Sequence, residues 1–318
     1  MTPDRATLTV GLLTALLWIG WPAAAEGPAR QLRVEAEIPQ RGDYMCVGFG
    51  SLWMMSEQKL KRVALADNTV TLIPIDGARG RWRRTVVGEG AVWVADNISQ
   101  TIYKIDPKTN LVVMAIPADF FVNNDGVAAI SVGEGAVWAI TGGSYNEVLR
   151  RFSAQTGAEQ VTIPLPSPNS GVGLVADFGS VWVAGTRDEE LYRIDPATNQ
   201  IIATIDLHSR PVSLASGEGS VWVRQSGGTV QRIDGNSGKL LAAIATEAAD
   251  NYGDIVVGGR FVWINSHTVP LVQIDPRTNS QRSRFDSQPG VFMGYTIAYG
   301  GGSLWLAGSA VFRIKPRE

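Results

Sequence analysis

Arginine side chains are the residues of this sequence whose types and positions first suggest chemistry. When the repeats described below are aligned, Arg41, Arg81 and Arg210 share one column, and Arg84 follows three residues after Arg81. Arg224 stands in a second column, whose other members are Met55, Ala95, Ile140, Ala184, Asn265 and Ala307. Forked guanidinium donors suit carboxylate and phosphate groups. The pattern predicts a basic funnel for an anionic group, and solvated loop arginines are the alternative interpretation.

An aromatic and an amide side chain accompany these arginines. Tyr252 lies in a loop two residues before Asp254, and Asn265 occupies the column of Arg224. A concave site commonly combines apolar walls with a few polar groups that orient the ligand. The residues that we predict to bind a ligand are Arg41, Arg84, Arg210, Arg224, Tyr252 and Asn265.

A second set of residues could bind a metal ion or transfer protons. His267 lies four residues after Trp263, Asp254 belongs to the same repeat, and Asp96 lies three residues after Trp93. Imidazole and carboxylate groups bind divalent metals, and Tyr44, Asp254 and His267 could act as acid or base groups. No second histidine or glutamate accompanies His267 at ligand spacing, so a loop histidine without a metal is the competing interpretation.

These residues are set in a sequence that repeats itself seven times. The segment "VGEGAVWVADNISQTIYKIDPKTN" at 87–110 has copies whose aligned tryptophans are 40 to 45 residues apart, namely Trp53, Trp93, Trp138, Trp182, Trp222, Trp263 and Trp305. A period near forty residues, made of short apolar runs separated by turn residues, is typical of β-propeller blades. We therefore predict an all-β fold, a seven-bladed β-propeller of four-stranded blades.

Within one repeat, four strands are predicted around two kinds of turn. "RTVVG" and "AVWVAD" flank Gly88 and Gly90, "TIYKID" alternates, and "LVVMAIP" is the fourth strand. In the Ile-Asp-Pro-x-Thr-Asn turns, Asn tolerates the left-handed backbone that closes the turn. We interpret the repeated turn aspartates, Asp106, Asp195, Asp234 and Asp275, as turn caps and not as metal ligands.

Alignment of the first strands suggests which side chains face the channel. Nine residues before each tryptophan the sequence has Tyr44, Arg84, Ala129, Gly173, Ser213, Asp254 and Thr296, and the next column is apolar apart from Thr85. Side chains alternate between the two faces of a strand. We therefore expect the polar column to face the channel and the apolar column to pack between blades.

The two ends of the repeat array complement each other. The last repeat has three predicted strands and no fourth, whereas "RQLRVEAEIPQ" at 30–40 precedes the first repeat and has the pattern of a fourth strand. Pairing the two would cover an open sheet edge. We predict that the N-terminal strand pairs with the last blade and closes the ring.

The N-terminus and the composition bound the location and the partners. Arg5, the apolar stretch "LTVGLLTALLWIGW" and "PAAAEG" predict a signal peptide at 1–25, followed by one domain at 26–318. The apolar stretch is shorter than the roughly 20 residues that span a bilayer, so we expect no stable membrane insertion after cleavage, and a periplasmic or secreted protein. The single cysteine, Cys46, excludes an internal disulfide, and a net charge of −2 indicates no nucleic acid partner.

The repeat "GxGxVWVA … xIYRIDPxTNxIxATI" resembles the exported YVTN-type propellers and the virginiamycin B lyase-like superfamily over residues 31–316. The resemblance implies a seven-bladed β-propeller. It also implies an enzyme that opens cyclic depsipeptides by elimination with Mg²⁺, and a glutamate three residues after the blade tryptophan. This sequence has Ser56, Asp96, Thr141, Gly185, Gln225, Ser266 and Gly308 there, so Asp96 alone could serve.

Two functions follow from these observations. The first is an exported binding protein, expected to be a monomer, whose arginine- and aromatic-lined channel mouth receives an anionic small molecule, a peptide or a periplasmic protein. The second is a lyase of the C–O type or a hydrolase, assisted by one divalent metal ion, Mg²⁺ or Ca²⁺, with Asp96, Asp254 and His267 as candidate ligands.

Overall fold

The computed structural model describes residues 29–31, 33–56, 59–78, 83–120, 129–142, 146–166, 173–286 and 293–316. The predicted signal peptide lies outside these residues. The described chain forms seven antiparallel sheets arranged as the blades of a propeller. The seven-bladed fold predicted from the repeats is therefore confirmed. Among the described residues no helix is long and apolar enough to cross a membrane.

Blades 1 to 5 are four-stranded meanders, and their strands follow the chain in order. Blades 1 to 3 contain β3 (Asp43–Gly48), β4 (Ser51–Ser56), β5 (Lys59–Ala64), β6 (Val70–Pro74), β7 (Arg83–Gly88), β8 (Ala91–Asp96), β9 (Thr101–Asp106), β10 (Leu111–Pro117), β11 (Ile130–Gly133), β12 (Ala136–Thr141), β13 (Val148–Ser153) and β14 (Glu159–Pro164). Blades 4 and 5 contain β15 (Leu174–Asp177), β16 (Ser180–Gly185), β17 (Glu190–Asp195), β18 (Gln200–Asp206), β19 (Pro211–Gly217), β20 (Ser220–Gln225), β21 (Thr229–Asp234) and β22 (Leu240–Ala245).

The last two blades take additional strands from the N-terminus. Their own strands are β23 (Ile255–Gly258), β24 (Phe261–Ile264), β25 (Leu271–Asp275), β26 (Ser280–Asp286), β27 (Met293–Gly300), β28 (Ser303–Gly308) and β29 (Val311–Ile314). β2 (Val34–Ile38) pairs antiparallel with β29 and completes blade 7, as predicted. β1 (Ala29–Gln31) pairs parallel with β26 and gives blade 6 a fifth strand, which the repeats did not predict.

The turn between the first and second strands of a blade explains its two glycines. In blade 2, Glu89 and Gly90 both have positive φ, 48° and 74°, as a two-residue hairpin turn with the twist of its strands requires. A Cβ on Gly88 would lie 3.1 Å from Val132 of the next blade. Gly90 therefore serves the turn, and Gly88 permits the close approach of neighbouring blades.

The repeated tryptophans are buried between blades and hold the same turns. All seven have 0% exposure, and each indole Nε1 donates to a backbone carbonyl five residues earlier, at 2.9 to 3.3 Å. Each apolar cluster combines side chains of two neighbouring blades, as in the cluster that joins Trp138 to Val181 and Tyr192. The hydrophobic core is thus a ring of seven interfaces.

The turns between the third and fourth strands, most of them Ile-Asp-Pro-x-Thr-Asn turns, join neighbouring blades through what we call the arginine clamp. It is formed by Arg62, Arg151, Arg232 and Arg313. In blade 1, the Arg62 guanidinium lies 4.9 Å from the Trp53 ring centroid and donates to Pro107 O and Asn110 Oδ1 of blade 2. Asn110 has φ 61°, the left-handed backbone predicted for it. The turn aspartates accept backbone N–H groups, as Asp106 does from Lys108, so their predicted capping role is confirmed.

Candidate functional site

The innermost strands of the blades enclose a central channel. β3, β7, β11, β15, β19, β23 and β27 each form one edge of a sheet, and each contacts the next around the ring. The cavity between them has a volume of about 420 Å³. Strand directions alternate within each blade, and the chain passes through four strands before it reaches the next innermost strand. These strands therefore all begin on one face of the propeller, which we call the upper face. The tight Gly turns lie on the opposite, lower face.

Three polar side chains meet at the upper end of this channel, which we call the channel mouth: Tyr44, Arg84 and Asp254. Arg84 and Asp254 line the cavity, and the Arg84 guanidinium lies 5.9 Å from the centroid of the Tyr44 ring. All three side chains are half-buried. Tyr44 has φ 48°, an unusual backbone for a bulky residue, and such strain is concentrated at functional sites.

The Asp254 carboxyl group occupies an electrostatically unfavourable position. Burial raises its pKa above the usual value, and the positive charge of Arg84, the backbone N–H of Ile255 and Arg224 only partly oppose this effect. No ion pair within 4.0 Å joins Asp254 to Arg84 or to any other described residue. Its Oδ1 accepts from the Ile255 N–H at 2.9 Å. The channel mouth thus presents a positive and a negative group that are near each other but not paired.

The segment that precedes Asp254 is held by Arg224. This side chain is 1% exposed, and its Nη2 donates to the backbone O of Asp250 at 3.0 Å and to Asp250 Oδ1 at 3.1 Å. Burial lowers the pKa of Arg224, while Asp250 and Asp254 oppose that change. The arginine that is unusual in its column therefore lies between blades 5 and 6, and it is not among the described residues that line the cavity.

Asp250 also holds the loop between the second and third strands of blade 6. Its Oδ2 accepts from the backbone N–H of Thr268 at 2.9 Å and its Oδ1 from that of Tyr252 at 3.1 Å. Burial alone would raise the pKa of Asp250, but these N–H groups and Arg224 bring it below its usual value. An ionised Asp250 therefore joins the Arg224 side chain to two segments of the upper face.

Asn265 fixes Asp254 from the other side. It is fully buried, its Oδ1 accepts from the Asp254 N–H at 2.7 Å, and its own N–H donates to the Asp254 carbonyl. Next to it, the exposed rings of Tyr252 and His267 stack with centroids 4.9 Å apart. Of the predicted ligand-binding residues, Asn265 and Arg224 thus position the site from behind, whereas Tyr252 is exposed on the upper face.

Of the four arginines predicted to converge, Arg84 alone is among the described residues that line the cavity. Arg84 lines the cavity, Arg224 is buried behind Asp254, and the side chains of Arg41 and Arg210 are exposed. Arg81 lies outside the described residues. Ligand binding by Arg41, Arg84, Arg210 and Arg224 stays a prediction. Of the four, Arg84 is the one that the geometry favours as a ligand-binding residue.

The expected separation between a channel column and an interface column is also incorrect. Ala129 of the polar column packs between blades 3 and 4, Ser213 and Thr296 are 4% and 2% exposed, and Ile255 of the apolar column lines the cavity. The reason is that each blade stands edge-on to the axis. Both faces of an innermost strand therefore look toward neighbouring blades, and the channel meets the strand at its edge.

The candidate metal ligands are not brought together. Asp96 is fully buried, and its Oδ1 accepts from the N–H groups of Ile98 and Ser99, so it caps the turn that follows β8. Across the part of the chain that the structure describes, no three His, Cys, Asp or Glu side chains form a group that could hold a metal ion. The described residues therefore do not fit the Mg²⁺ site that the resemblance implies.

The comparisons with known proteins agree with this fold. No protein-family model matches the chain, and no curated protein matches it. Among solved structures, it is similar to a streptogramin B lyase structure, with TM-score 0.71, 15% identity and coverage of 90% of this chain and 96% of that one. It is also similar to virginiamycin B lyase from Staphylococcus aureus, with TM-score 0.72, 16% identity and coverage of 90% and 100%. The likeness is one of fold. It confirms the predicted resemblance at that level.

Sequence reasoning missed Asp250, and it did not predict that Arg224 supports the channel mouth from behind. Asp250 was not predicted, since an acidic residue in the loop "EAADNYGD" carries no signal of its own. Its pairing with Arg224 depends on the packing of blade 5 against blade 6. A buried arginine in a column of mostly small residues was the available signal, because such a residue needs an acidic partner.

Proposed function

We propose that this chain is an exported β-propeller binding protein that holds an anionic group of a small molecule, a peptide or a periplasmic protein at its channel mouth. The observation that carries this proposal is the half-buried Arg84 guanidinium in the channel wall. Its charge is oriented against the Tyr44 ring, and no ion pair within the described residues uses it. A guanidinium held in this way is prepared to bind a carboxylate or phosphate oxygen.

The surroundings of Arg84 favour a preformed site. Tyr44 and Asp254 are held on separate blades, and Asp254 is fixed by Asn265 and by the Arg224–Asp250 pair. Groups that are already ordered lose little conformational entropy when a ligand binds. Export rests on the signal peptide predicted at 1–25, and cleavage after Ala25 would be read directly by mass spectrometry of the protein from the extracytoplasmic fraction.

Thermal unfolding of the purified chain tests the binding function. The probes are acetate, inorganic phosphate and N-acetylalanine, each titrated against wild type, Arg84→Gln and Arg277→Gln. Arg277 is the matched control, since it is an exposed arginine in a lower-face turn. We expect a saturable rise in melting temperature with at least one anion, because a ligand of the folded state adds stability with concentration.

The rise should disappear in Arg84→Gln and persist in Arg277→Gln. Failure of every anion to raise the melting temperature would contradict the proposal, as would an undiminished rise in Arg84→Gln. The alternative, a metal-assisted lyase or hydrolase, is favoured by the likeness to the two lyase structures. It predicts that a cyclic depsipeptide is opened when Mg²⁺ or Ca²⁺ is added, with Tyr44, Asp254 and His267 as acid or base candidates, and liquid chromatography with mass detection would show the opened product.

A further inference from the structure

The arrangement of unpaired charges at the channel mouth narrows the class of ligand. Arg84 and Asp254 line the same cavity from blades 2 and 6, and the charge of Arg84 acts on the Asp254 carboxyl group. They do not form an ion pair with each other. A purely anionic ligand at Arg84 would be repelled by an ionised Asp254 across the cavity. A ligand that also carries a cationic donor would satisfy both groups.

We propose that the channel mouth binds a zwitterionic amino compound, an α-amino acid or the like, whose carboxylate contacts Arg84 and whose ammonium group contacts Asp254. This inference rests on the proposed function and adds the second contact. Guanidinium and carboxylate groups on opposite sides of a cavity present the complement of such a ligand. The fixed backbone of Asp254, bonded at both its N–H and its carbonyl to Asn265, directs its free carboxylate oxygen without local rearrangement.

The other charged and titratable groups around Asp254 are compatible with this assignment. Cys46, Asp177 and Tyr299 also line the cavity. Asp177 lies at the lower end of β15, away from the channel mouth, and its Oδ1 accepts from the Phe178 N–H. Burial raises the pKa of the Cys46 thiol, which keeps it neutral. Behind Asp254, the charge of Arg224 is matched by Asp250. Tyr44 places its ring beside Arg84. The cationic partner that Asp254 lacks within the described residues is therefore left to the ligand.

Calorimetry with three matched forms of one ligand tests the proposal. L-alanine, L-leucine, L-phenylalanine and L-glutamine are each titrated as the free amino acid, the N-acetyl derivative and the carboxamide. We expect at least one free amino acid to bind, and its N-acetyl form to bind about tenfold more weakly or worse, because a charge-assisted hydrogen bond to Asp254 is lost. In Asp254→Asn this preference should shrink to near equality, while Arg84→Gln should abolish binding of both forms.

The release or uptake of protons on ligand binding gives a second measurement, and the proposal predicts its direction. An ammonium group beside Asp254 favours the ionised carboxylate and lowers its pKa, so binding should release protons and should strengthen as pH rises through the raised pKa of Asp254 in the free protein. A plain anion would raise the pKa of Asp254 further, take up protons and bind more weakly over the same range. Titrations in two buffers of different ionisation enthalpy measure the direction, and Asp254→Asn should show no exchange.

The outcomes separate this inference from the proposed function. Equal binding of the N-acetyl and free forms, with proton uptake, would leave an anion site at Arg84 and overturn the zwitterion. Binding of the carboxamide that survives Arg84→Gln would overturn both proposals, since the carboxylate contact would be irrelevant. Absence of binding by the free amino acids, with acetate or phosphate still raising the melting temperature, would overturn this inference alone.

Discussion

The two faces of the propeller use polar residues in opposite ways. On the lower face, the clamp of one blade contacts the turn between the third and fourth strands of the next, as Arg232 contacts Pro276 O and Asn279 Oδ1. The tryptophan indoles bond the turns between the first and second strands, as Trp222 does at Gly217 O. On the upper face, Arg84 and Asp254 have no ion-pair partner among the residues that the structure describes. The Ser213 and Thr296 hydroxyls there are buried and have no hydrogen-bond partner in the same part of the chain. The comparison indicates that the repeated residues serve assembly, whereas function lies where the repeat changes.

The largest loss of stability is expected when one of the repeated residues is changed. Trp182→Ala should lower the free energy of unfolding by about 3–5 kcal/mol, because a fully buried indole leaves a cavity between two blades. Denaturant unfolding measures the loss. The control, Leu111→Ala, alters a side chain that is 63% exposed and should stay within about 0.5 kcal/mol of wild type. Equal losses in the two variants would contradict the scaffold role of the tryptophan.

A somewhat smaller loss of stability is expected when the buried Arg224–Asp250 ion pair of the upper face is broken. Arg224→Met should lower the free energy of unfolding by about 3 kcal/mol, because Asp250 keeps its charge in a mostly buried place without its partner. A double-mutant cycle with Asp250→Asn should show strong coupling, since the second change removes the stranded charge. Additive losses would mean that the two side chains stabilise the protein independently, and they would contradict a stabilising ion pair between Arg224 and Asp250.

The third change, at Asp254, should raise the stability of the protein instead of lowering it. Burial raises the pKa of Asp254, so the folded state holds this proton more tightly than the unfolded chain does, and stability is lost as pH rises through the folded pKa. Asp254→Asn should therefore raise the melting temperature at neutral pH and bring it closer to that of wild type near pH 4. Melting curves from pH 4 to 8 test this. A variant less stable than wild type at pH 7 would show that the carboxylate is structural.

The sequence predicted the scaffold more fully than the channel mouth, for a physical reason. Gly88, Asn110 and the tryptophans act within one repeat or between adjacent repeats, so their spacing reveals their partners. The contacts of Arg84 with Tyr44 and of Arg224 with Asp250 depend on how blades of unlike sequence meet. Tyr44, Arg84 and Asp254 were correctly recognised as the variable polar members of one column, but which of them would line the cavity was not readable from alternation alone.

The closure of blade 7 has a consequence for the order of folding. β2 pairs with β29, and Arg313 donates to Leu65 O across 248 residues of chain. Such contacts require a large loss of loop entropy before they return any stabilisation, and they slow folding. Blades 1 to 5 can form from local hairpins, while blade 7 and the fifth strand of blade 6 wait for the N-terminal strands β2 and β1. The ring therefore becomes a single cooperative unit only in its last step, and a partly folded chain should retain an accessible edge on β29 until then.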